Sequence, residues 1–141
     1  MAKNQFLIRR AAFGNTTYVS TATNATNSVY FDAINLPKGA IIVAVKVFPA
    51  GAITNGSNFE DATVNLSCGA QAILSNDQKA SVLFVAATPV TPVLASTAGV
   101  YVSVGGPLVV YWASSTSKKT GIAFDSDIYV EYLYCGERDI A

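Results

Sequence analysis

The sequence predicts an all-β fold, an antiparallel sandwich of two sheets with jelly-roll or other Greek-key topology. Short apolar or alternating runs are separated by Gly, Asn, Thr and Pro, and helical periodicity is nearly absent. The clearest region is 99–134, a series of short segments rich in Val, Ile and Tyr. Because such segments bury their faces by packing one sheet on another, this region predicts the structural centre of a sandwich.

The beginning of the chain differs from the rest. As an extended strand, residues 4–13 place Phe6, Ile8 and Arg10 on one side and Gln5, Leu7 and Arg9 on the other, which we interpret as amphipathic. We expect residues 1–14 to form an extended N-terminal arm and residues 15–141 to form a single β-sandwich domain. An arm of this kind suits addition to the sheet of an adjacent subunit, where backbone hydrogen bonds provide affinity and alternate side chains set the register.

Three strands and a turn are predicted in the next part of the chain. Strands at 17–20 and 29–34 flank a loop rich in Ala, Thr and Asn. In the turn at 36–39, Pro and Gly occupy the second and fourth positions, where β-turns favour them. Residues 40–48 read AIIVAVKVF, with a single charge at Lys46. That apolar run predicts a central strand covered on both faces.

The remaining strands come at short intervals. Residues 62–68 show the cleanest alternation, with Ala, Val, Leu and Cys predicted to point inward. Strands at 71–74 and 81–86 come next, and the two prolines within 88–92 predict an extended edge or crossover. The final region, 99–134, turns at Gly-Gly-Pro and at a Ser/Thr/Lys segment before it closes with IYVEYLY. We expect about nine to eleven strands in all.

The composition excludes several classes of partner. Charged residues make up 13% of the chain, against about 25% in an ordinary soluble domain. Nine basic and nine acidic residues cancel, so the sequence carries no electrostatic footprint for nucleic acid or for an anionic membrane. A surface with so few charges favours a subunit covered by its neighbours, and the alternative is a single sandwich coated with Thr, Ser and Asn.

The sequence also predicts the compartment. No segment reaches the roughly 18 to 20 consecutive apolar residues that a membrane helix needs. Arg9 and Arg10 interrupt the N-terminal apolar patch, so we expect neither a signal peptide nor a membrane partner. Synthesis in a reducing cytoplasm favours free thiols at Cys68 and Cys135, and a disulfide between them stays open as an alternative.

The residues that usually carry catalysis are scarce. The chain has no histidine, which excludes His-dependent nucleophilic schemes and removes the commonest zinc ligand. Ser115 and Lys118 have the spacing of a Ser/Lys nucleophile, but their polar turn produces such a spacing by chance. Asp125 and Asp127 share one face of a strand, where acid/base work or a calcium site competes with a role as edge charges. We predict no catalytic residue, no metal site and no cofactor.

The aromatic residues leave a second use open. Tyr111, Tyr129 and Tyr134 occupy positions that alternation allows to face outward, whereas Trp112 falls on the predicted core side of its strand. Exposed rings serve either as protein interfaces or as platforms on which sugar rings stack. The pattern favours core or subunit contact over sugar binding.

The C-terminal pattern resembles a known group of proteins. LVVYWASS, a Ser/Thr/Lys turn, TGIAF and IYVEYLY are similar to the last strands of small β-rich virion proteins of tailed bacteriophages. AIIVAVKVF, after its Pro-Lys-Gly turn, is similar to other strands of that group, so the likeness covers residues 36–134. The group includes capsid decoration (cement) proteins and other head or tail subunits. The resemblance implies a sandwich, frequent trimers, and a structural role in the virion without an active site.

These observations predict a structural bacteriophage virion protein, in particular a capsid decoration or cement subunit assembled in the bacterial cytoplasm. Its expected partners are copies of itself, preferably in a homotrimer, and the major capsid protein or other virion subunits, with no nucleic acid. The alternative is a tail- or fibre-associated module for host attachment or carbohydrate binding. The candidate subunit-interface residues, all within the expected arm, are Phe6, Leu7, Ile8, Arg9 and Arg10.

Overall fold

Nine strands and one short helix are present in the part of the chain that the computed structural model describes, which is residues 8–20, 28–49, 63–84, 88–112 and 122–134. The helix, α1, spans Ala80–Phe84. The strands are β1 (Ile8–Ser20), β2 (Ser28–Leu36), β3 (Ile41–Pro49), β4 (Thr63–Cys68), β5 (Gln71–Ala72), β6 (Gln78–Lys79), β7 (Val100–Tyr101), β8 (Gly106–Trp112) and β9 (Ile122–Tyr134).

The strands form two sheets in which every pair of neighbours is antiparallel. The front sheet has the order β1-β9-β3-β7, and the back sheet has the order β2-β8-β4-β5, with β6 also paired to β4. The first four strands alternate between the sheets, and the last two return to lie between them, β9 beside β1 and β8 beside β2. This order is that of a jelly roll, and it confirms the predicted all-β sandwich.

The inner sides of the two sheets face each other and form the hydrophobic core. The alternation predicted for β4 is confirmed, because its inward residues are buried and no more than 2% exposed. Branched aliphatic side chains supply most of both inner sides, as close packing between two sheets requires. The front sheet contributes Ile42, Val45, Val47, Ile128 and Val130, and the back sheet contributes Val64, Leu66, Cys68, Leu108 and Val110.

β1 is a single strand of 13 residues, where the sequence predicts an arm followed by a separate short strand. Residues 8–14 of the expected arm pair with residues 128–134 of β9, and the pairing continues without a break to Ser20. The ladder is long because β9 also has 13 residues, which match β1 one for one. Residues 1–7 lie outside the described part of the chain.

The turn predicted after β2 forms one residue later along the chain. The Ala40 amide donates to the Pro37 carbonyl oxygen at 3.1 Å, so Pro37 is the first residue of the turn and not the second. Gly39 takes the third position with a φ of 93°. A type II turn requires positive φ at that position, which glycine adopts without steric cost, so Gly39 determines where the turn forms.

β3 lies between β9 and β7 in the front sheet, as its apolar sequence predicts. Ile42, Val45 and Val47 are buried in the core. On the opposite side, Ile41 and Phe48 are half-buried and keep part of their surface exposed. The prediction of full cover on both faces is therefore wrong, because one side of this apolar strand reaches the molecular surface.

A short helix occupies residues 81–84 of the strand predicted at 81–86, and residues 85 and 86 lie outside the described residues. α1 ends with Leu83 and Phe84, which are adjacent in sequence and both fully buried. Successive residues of a strand point to opposite sides of the sheet, whereas one helical turn lets two neighbours enter the same core. Val82, just before them, is 53% exposed. Packing of Leu83 and Phe84 thus overrides the β-forming composition of this segment.

The proline-containing segment crosses between the two halves of the fold, as predicted. Val90 and Val47 form an isolated antiparallel bridge, with backbone hydrogen bonds of 2.8 and 2.9 Å in the two directions. A second isolated bridge joins Leu94 to Leu74 near the back sheet. The segment therefore links the two sheets without becoming a strand of either. Its prolines lack the backbone N–H donors that a strand inside a sheet needs.

Cys68 is a buried free thiol, as its place in β4 predicts. Burial raises the pKa of this thiol. The thiolate is the nucleophilic form of cysteine, so a thiol with a raised pKa is a poor nucleophile. Cys68 therefore acts as a core residue. Cys135 lies outside the described residues.

Candidate functional site

The candidate interface residues fall at the start of the described structure. Ile8, Arg9 and Arg10 are the first residues of β1 and pair with the last residues of β9. Ile8 keeps 49% of its surface exposed. The structure thus places this part of the expected arm along its own sheet. Phe6 and Leu7 lie outside the described residues.

The two arginines have separate partners on β9. The Arg9 guanidinium donates to the Glu131 carboxylate at 2.8 Å. The Arg10 guanidinium lies over the Tyr134 ring, 5.7 Å from its centroid. Because alternate residues of a strand point to opposite sides, Arg9 lies on the outer side of the front sheet and Arg10 on the inner side. Exposed ion pairs contribute only about 0–1 kcal/mol, so the Arg9–Glu131 pair adds little to the stability of the β1–β9 pairing.

The outer side of the front sheet, called the front face below, is apolar for a surface that an antiparallel sheet turns toward solvent. Phe13 and Tyr101 are each 55% exposed. The ring centroids of Phe13 and Phe48 lie 6.3 Å apart. Large exposed apolar side chains grouped on one sheet face are a common feature of surfaces that contact other macromolecules. The apolar members of the front face are Phe13, Ile41, Phe48, Tyr101 and Leu133.

Glu131, near the centre of the front face, has partners within the chain, and Lys46 lies exposed on the same face opposite Tyr129. Glu131 accepts hydrogen bonds from the Tyr129 hydroxyl at 2.8 Å and from Arg9 at 2.8 Å. The Tyr129 hydrogen bond, followed by the charges of Arg9 and Lys46, holds the pKa of Glu131 below its ordinary value. The same hydrogen bond raises the pKa of Tyr129. The Glu131 carboxylate therefore has hydrogen-bond partners within the chain and is not an unpaired charge on this face.

The acidic pair of β9 lies at one end of the front face and shares one amide. The Asn15 side chain donates to Asp125 at 2.6 Å and to Asp127 at 2.9 Å. The sequence prediction that both carboxylates share one face is therefore confirmed. Their common donor is a neutral amide on the neighbouring strand β1, which the sequence did not indicate. This arrangement ties β1 to β9 across the ladder.

The outer side of the back sheet has a different shape, because it contains a cavity. This back cavity has a volume of about 380 Å³. Asn65 on β4 and Tyr111 on β8 are register partners, so their side chains lie next to each other on the outer side of the sheet. Tyr111 is 51% exposed. The residues that line the cavity are Asn65, Leu66, Ser67, Ala70, Ala72, Asp77 and Tyr111.

Asn65 fixes one wall of the back cavity. Its side-chain oxygen accepts from the backbone amides of Leu66 at 2.8 Å and Leu74 at 3.1 Å. Its amide nitrogen donates to Asp77 at 3.1 Å and to the Leu74 carbonyl at 3.5 Å. Although Asn65 points outward from the sheet, these contacts with the following segment leave it only 7% exposed. One of these hydrogen bonds connects the exposed Asp77 carboxylate to this wall of the cavity.

The other aromatic candidates are distributed over the molecule. Tyr129 lies on the front face, where it binds Glu131. Tyr134 packs against the core, and its ring makes a cation–π contact with the Arg10 guanidinium. The side chain of Trp112 lies outside the described residues. Only Tyr111, among the tyrosines that the sequence singles out, is both strongly exposed and part of the back cavity.

Sequence reasoning missed Asp77 and Asn65 as partners. The alternation of β4 predicts an outward Asn65, which is the correct side, but it gives no sign that a later segment covers the residue. The one available signal is the Ser-Asn-Asp run at 75–77, a composition typical of turns that fold back by hydrogen bonding. Contacts between residues nine and twelve positions apart are not visible in such a local pattern.

The part of the chain that is described contains no cluster of metal-ligating side chains. There, no three or more Cys, Asp or Glu side chains come together as a metal site would require. Ser115 and Lys118 fall outside the described ranges. Within those ranges, no helix has the length and hydropathy needed to cross a membrane.

A solved structure contains a chain of similar fold. The chain is similar to a chain of the structure described as the cyanophage Pam1 capsid asymmetric unit, with a TM-score of 0.52 and 17% sequence identity. The superposition covers 90% of this chain and 85% of that chain. At this identity the similarity establishes the fold. No protein-family model matches the sequence, and no curated protein matches it.

Proposed function

We propose that this protein is a structural subunit of a bacteriophage virion, in particular a capsid decoration or cement subunit on the outer surface of the head. The observation that carries the proposal is the similarity to a chain of the cyanophage Pam1 capsid asymmetric unit, which covers 90% of one chain and 85% of the other. The similarity concerns the whole subunit and not a shared fragment. A subunit of a capsid needs surfaces that fit its neighbours and requires no active site.

The front face supplies a surface of the required kind. Its apolar residues lie on adjacent strands, and Glu131 among them is paired within the chain. Burying apolar surface contributes about 25 cal/mol per Å². Pairing Glu131 in advance removes the cost of burying a carboxylate without a partner. We therefore propose that the front face is covered in the particle, against another virion subunit.

The start of β1 extends this surface toward its edge. Arg9 belongs to the same row across the front sheet as Leu133 and Tyr101, and Ile8 beside it is half-exposed. We propose that the interface continues from the front face through residues 6–10. Copies of this chain, preferably three in a homotrimer, are the proposed neighbours along the β1 edge, because β1 is the outermost strand of its sheet in the described structure.

Such a subunit stabilises the head by binding only its assembled state. A ligand that binds one state and not the other stabilises that state by about 2.7 kcal/mol when its concentration is 100 times its Kd. No chemistry is involved, and stabilisation depends on how many sites are filled. This mechanism agrees with the absence of histidine from the chain.

The test uses particles of the phage that encodes the chain, prepared with and without it. Mass spectrometry should find the protein in purified particles, and particles that lack it should bind the added protein and gain thermal stability. The variant Tyr101→Arg on the front face should reduce binding by about tenfold or more. Its matched control is Tyr111→Arg, a tyrosine of similar exposure on the back sheet, which should bind like the unaltered protein.

Two results would overturn the proposal. One is the absence of the protein from purified particles. The other is a reversed pattern, in which Tyr111→Arg abolishes binding and Tyr101→Arg does not. Sedimentation equilibrium tests the trimer separately, and deletion of residues 1–7 tests the contribution of the arm. That deletion leaves β1 intact, whereas removing residues 8–14 would remove half of the β1–β9 ladder.

A further inference from the structure

The back cavity carries a second inference, because its walls combine an exposed ring with a carboxylate. Tyr111 forms one wall and keeps 51% of its surface exposed. Ala70 and Ala72 line the cavity with short side chains, which leaves space beside the ring. Its volume of about 380 Å³ lies at the small end of the range for ligand pockets, about 300–1,000 Å³.

The polar groups of the cavity are already positioned. The Asn65 amide uses its oxygen and its nitrogen on Leu66, Leu74 and Asp77, so it serves as a support for the wall. One Asp77 oxygen accepts the Asn65 hydrogen bond at 3.1 Å. A carboxylate accepts about four hydrogen bonds through its two oxygens, so Asp77 retains capacity to accept from a ligand.

The lining residues also limit what the cavity binds. None of them is Lys or Arg, so the cavity offers no cation to a phosphate, a sulfate or a carboxylate. One carboxylate alone does not supply the six or more oxygen ligands of a calcium site. A neutral ligand with several hydroxyl groups and a flat apolar face matches the groups that the cavity does offer, which are a carboxylate acceptor and an exposed aromatic ring.

We propose that the back cavity binds a neutral saccharide, with one sugar ring stacked on Tyr111 and its hydroxyl groups donating to Asp77. The C–H face of a hexose matches the apolar face of the tyrosine ring, as in other amphipathic contacts of aromatic side chains. The hydroxyl groups along the edge of the sugar match a carboxylate that accepts several hydrogen bonds. Ser67, on the same strand as Asn65, adds a hydroxyl at the cavity wall.

The position of the cavity makes it available in an assembled particle. It opens on the outer side of the back sheet, while the front face lies on the opposite side of the sandwich. A subunit docked through its front face would therefore keep this cavity accessible to the surroundings. The saccharide site itself does not depend on the virion proposal, because it consists entirely of residues within one chain.

The test is an NMR titration of the free, isotope-labelled full chain. The probes are glucose, galactose, mannose and N-acetylglucosamine, together with disaccharides that contain them. At least one probe should shift the amide resonances around Asn65, Asp77 and Tyr111 in a saturable way. The variants Tyr111→Ala and Asp77→Asn should weaken that binding by about tenfold, and Tyr111→Phe, which keeps the ring, should retain it.

The matched control is Tyr101→Ala, which removes an equally exposed tyrosine from the front face and should leave sugar binding unchanged. The proposal fails if no saccharide in the panel produces saturable shifts at the cavity. It also fails if Tyr111→Ala binds as well as the unaltered chain, or if an apolar peptide binds the cavity and the sugars do not. These outcomes concern the free protein, so they are independent of whether it is found in particles.

Discussion

The two outer faces of this sandwich show how one alternating pattern produces two kinds of surface. On the front face, apolar residues of β1, β3 and β9 alternate with charged and polar residues on an uncovered sheet. On the back face, the segment after β5 folds over β4, buries an amide and leaves a cavity. The difference arises from the path that the chain takes after each strand. A sheet face remains a flat contact surface unless a later segment returns to cover part of it.

Two outward asparagines illustrate this contrast. Asn15 on the front face is exposed and joins two carboxylates at 2.6 and 2.9 Å. Asn65 on the back face is 7% exposed and binds three residues. An exposed amide exchanges protein partners for water at little cost, whereas a buried amide has no such replacement. The two faces should therefore respond differently to the same substitution.

The largest expected effect is that of Asn65→Ala. The substitution leaves buried backbone groups of Leu66 and Leu74 without their partner, so it should lower the free energy of unfolding by about 2–3 kcal/mol. Asn15→Ala is the matched control and should cost less than about 1 kcal/mol. Denaturation by urea measures both. Equal losses for the two variants would contradict the distinction between the faces.

On the inner side of the front sheet, we expect a substitution that raises the free energy of unfolding. Thr16 and Ser126 pair across β1 and β9, are 1% and 0% exposed, and have hydroxyls with no hydrogen-bond partner in the described part of the structure. Replacing such a hydroxyl with an apolar group of similar shape removes a buried unsatisfied group. Thr16→Val should therefore raise the free energy of unfolding by about 1 kcal/mol. A loss of stability in the same urea experiment would show that the hydroxyl is satisfied.

The smallest expected effect concerns pH at the front face. Since the pKa of Glu131 is held below its ordinary value of 4.5, its ionised form favours the folded state. This contribution is complete above the ordinary pKa and is lost as the pH falls through the lowered value. NMR titration should show that Tyr129→Phe raises the pKa of Glu131 toward 4.5, while Tyr101→Phe leaves it unchanged. An unchanged pKa in Tyr129→Phe would exclude the hydrogen bond as the main cause.

Much of the fold is predictable from sequence, because alternation reports burial directly. The inward residues of β4 are predictable from period-two patterning, and the central place of β3 is predictable from its long apolar run. The helix at Ala80–Phe84 is not, since a β-forming composition cannot reveal that two adjacent residues enter the same core. The full length of β1 is also not predictable from its local sequence, because it depends on the matching length of β9.

The candidate surfaces are less predictable than the fold. Sequence identifies Arg9 and Tyr111 as residues of interest, but their roles depend on Glu131 and Asp77, which lie on other segments. The prediction that the first residues form an arm rests on their amphipathic alternation. An amphipathic strand that pairs with its own sheet has the same alternation, so the pattern does not identify the sheet to which the strand is added.

The proposed virion role requires that the front face is covered in the particle while the back cavity stays open. Hydroxyl-radical footprinting of the free protein and of intact particles tests it, with oxidation of individual residues measured by mass spectrometry. We predict that Phe13 and Tyr101 become protected in particles and that Tyr111 reacts as it does in the free protein. Protection of Tyr111 together with unchanged reactivity of Phe13 and Tyr101 would contradict the claim.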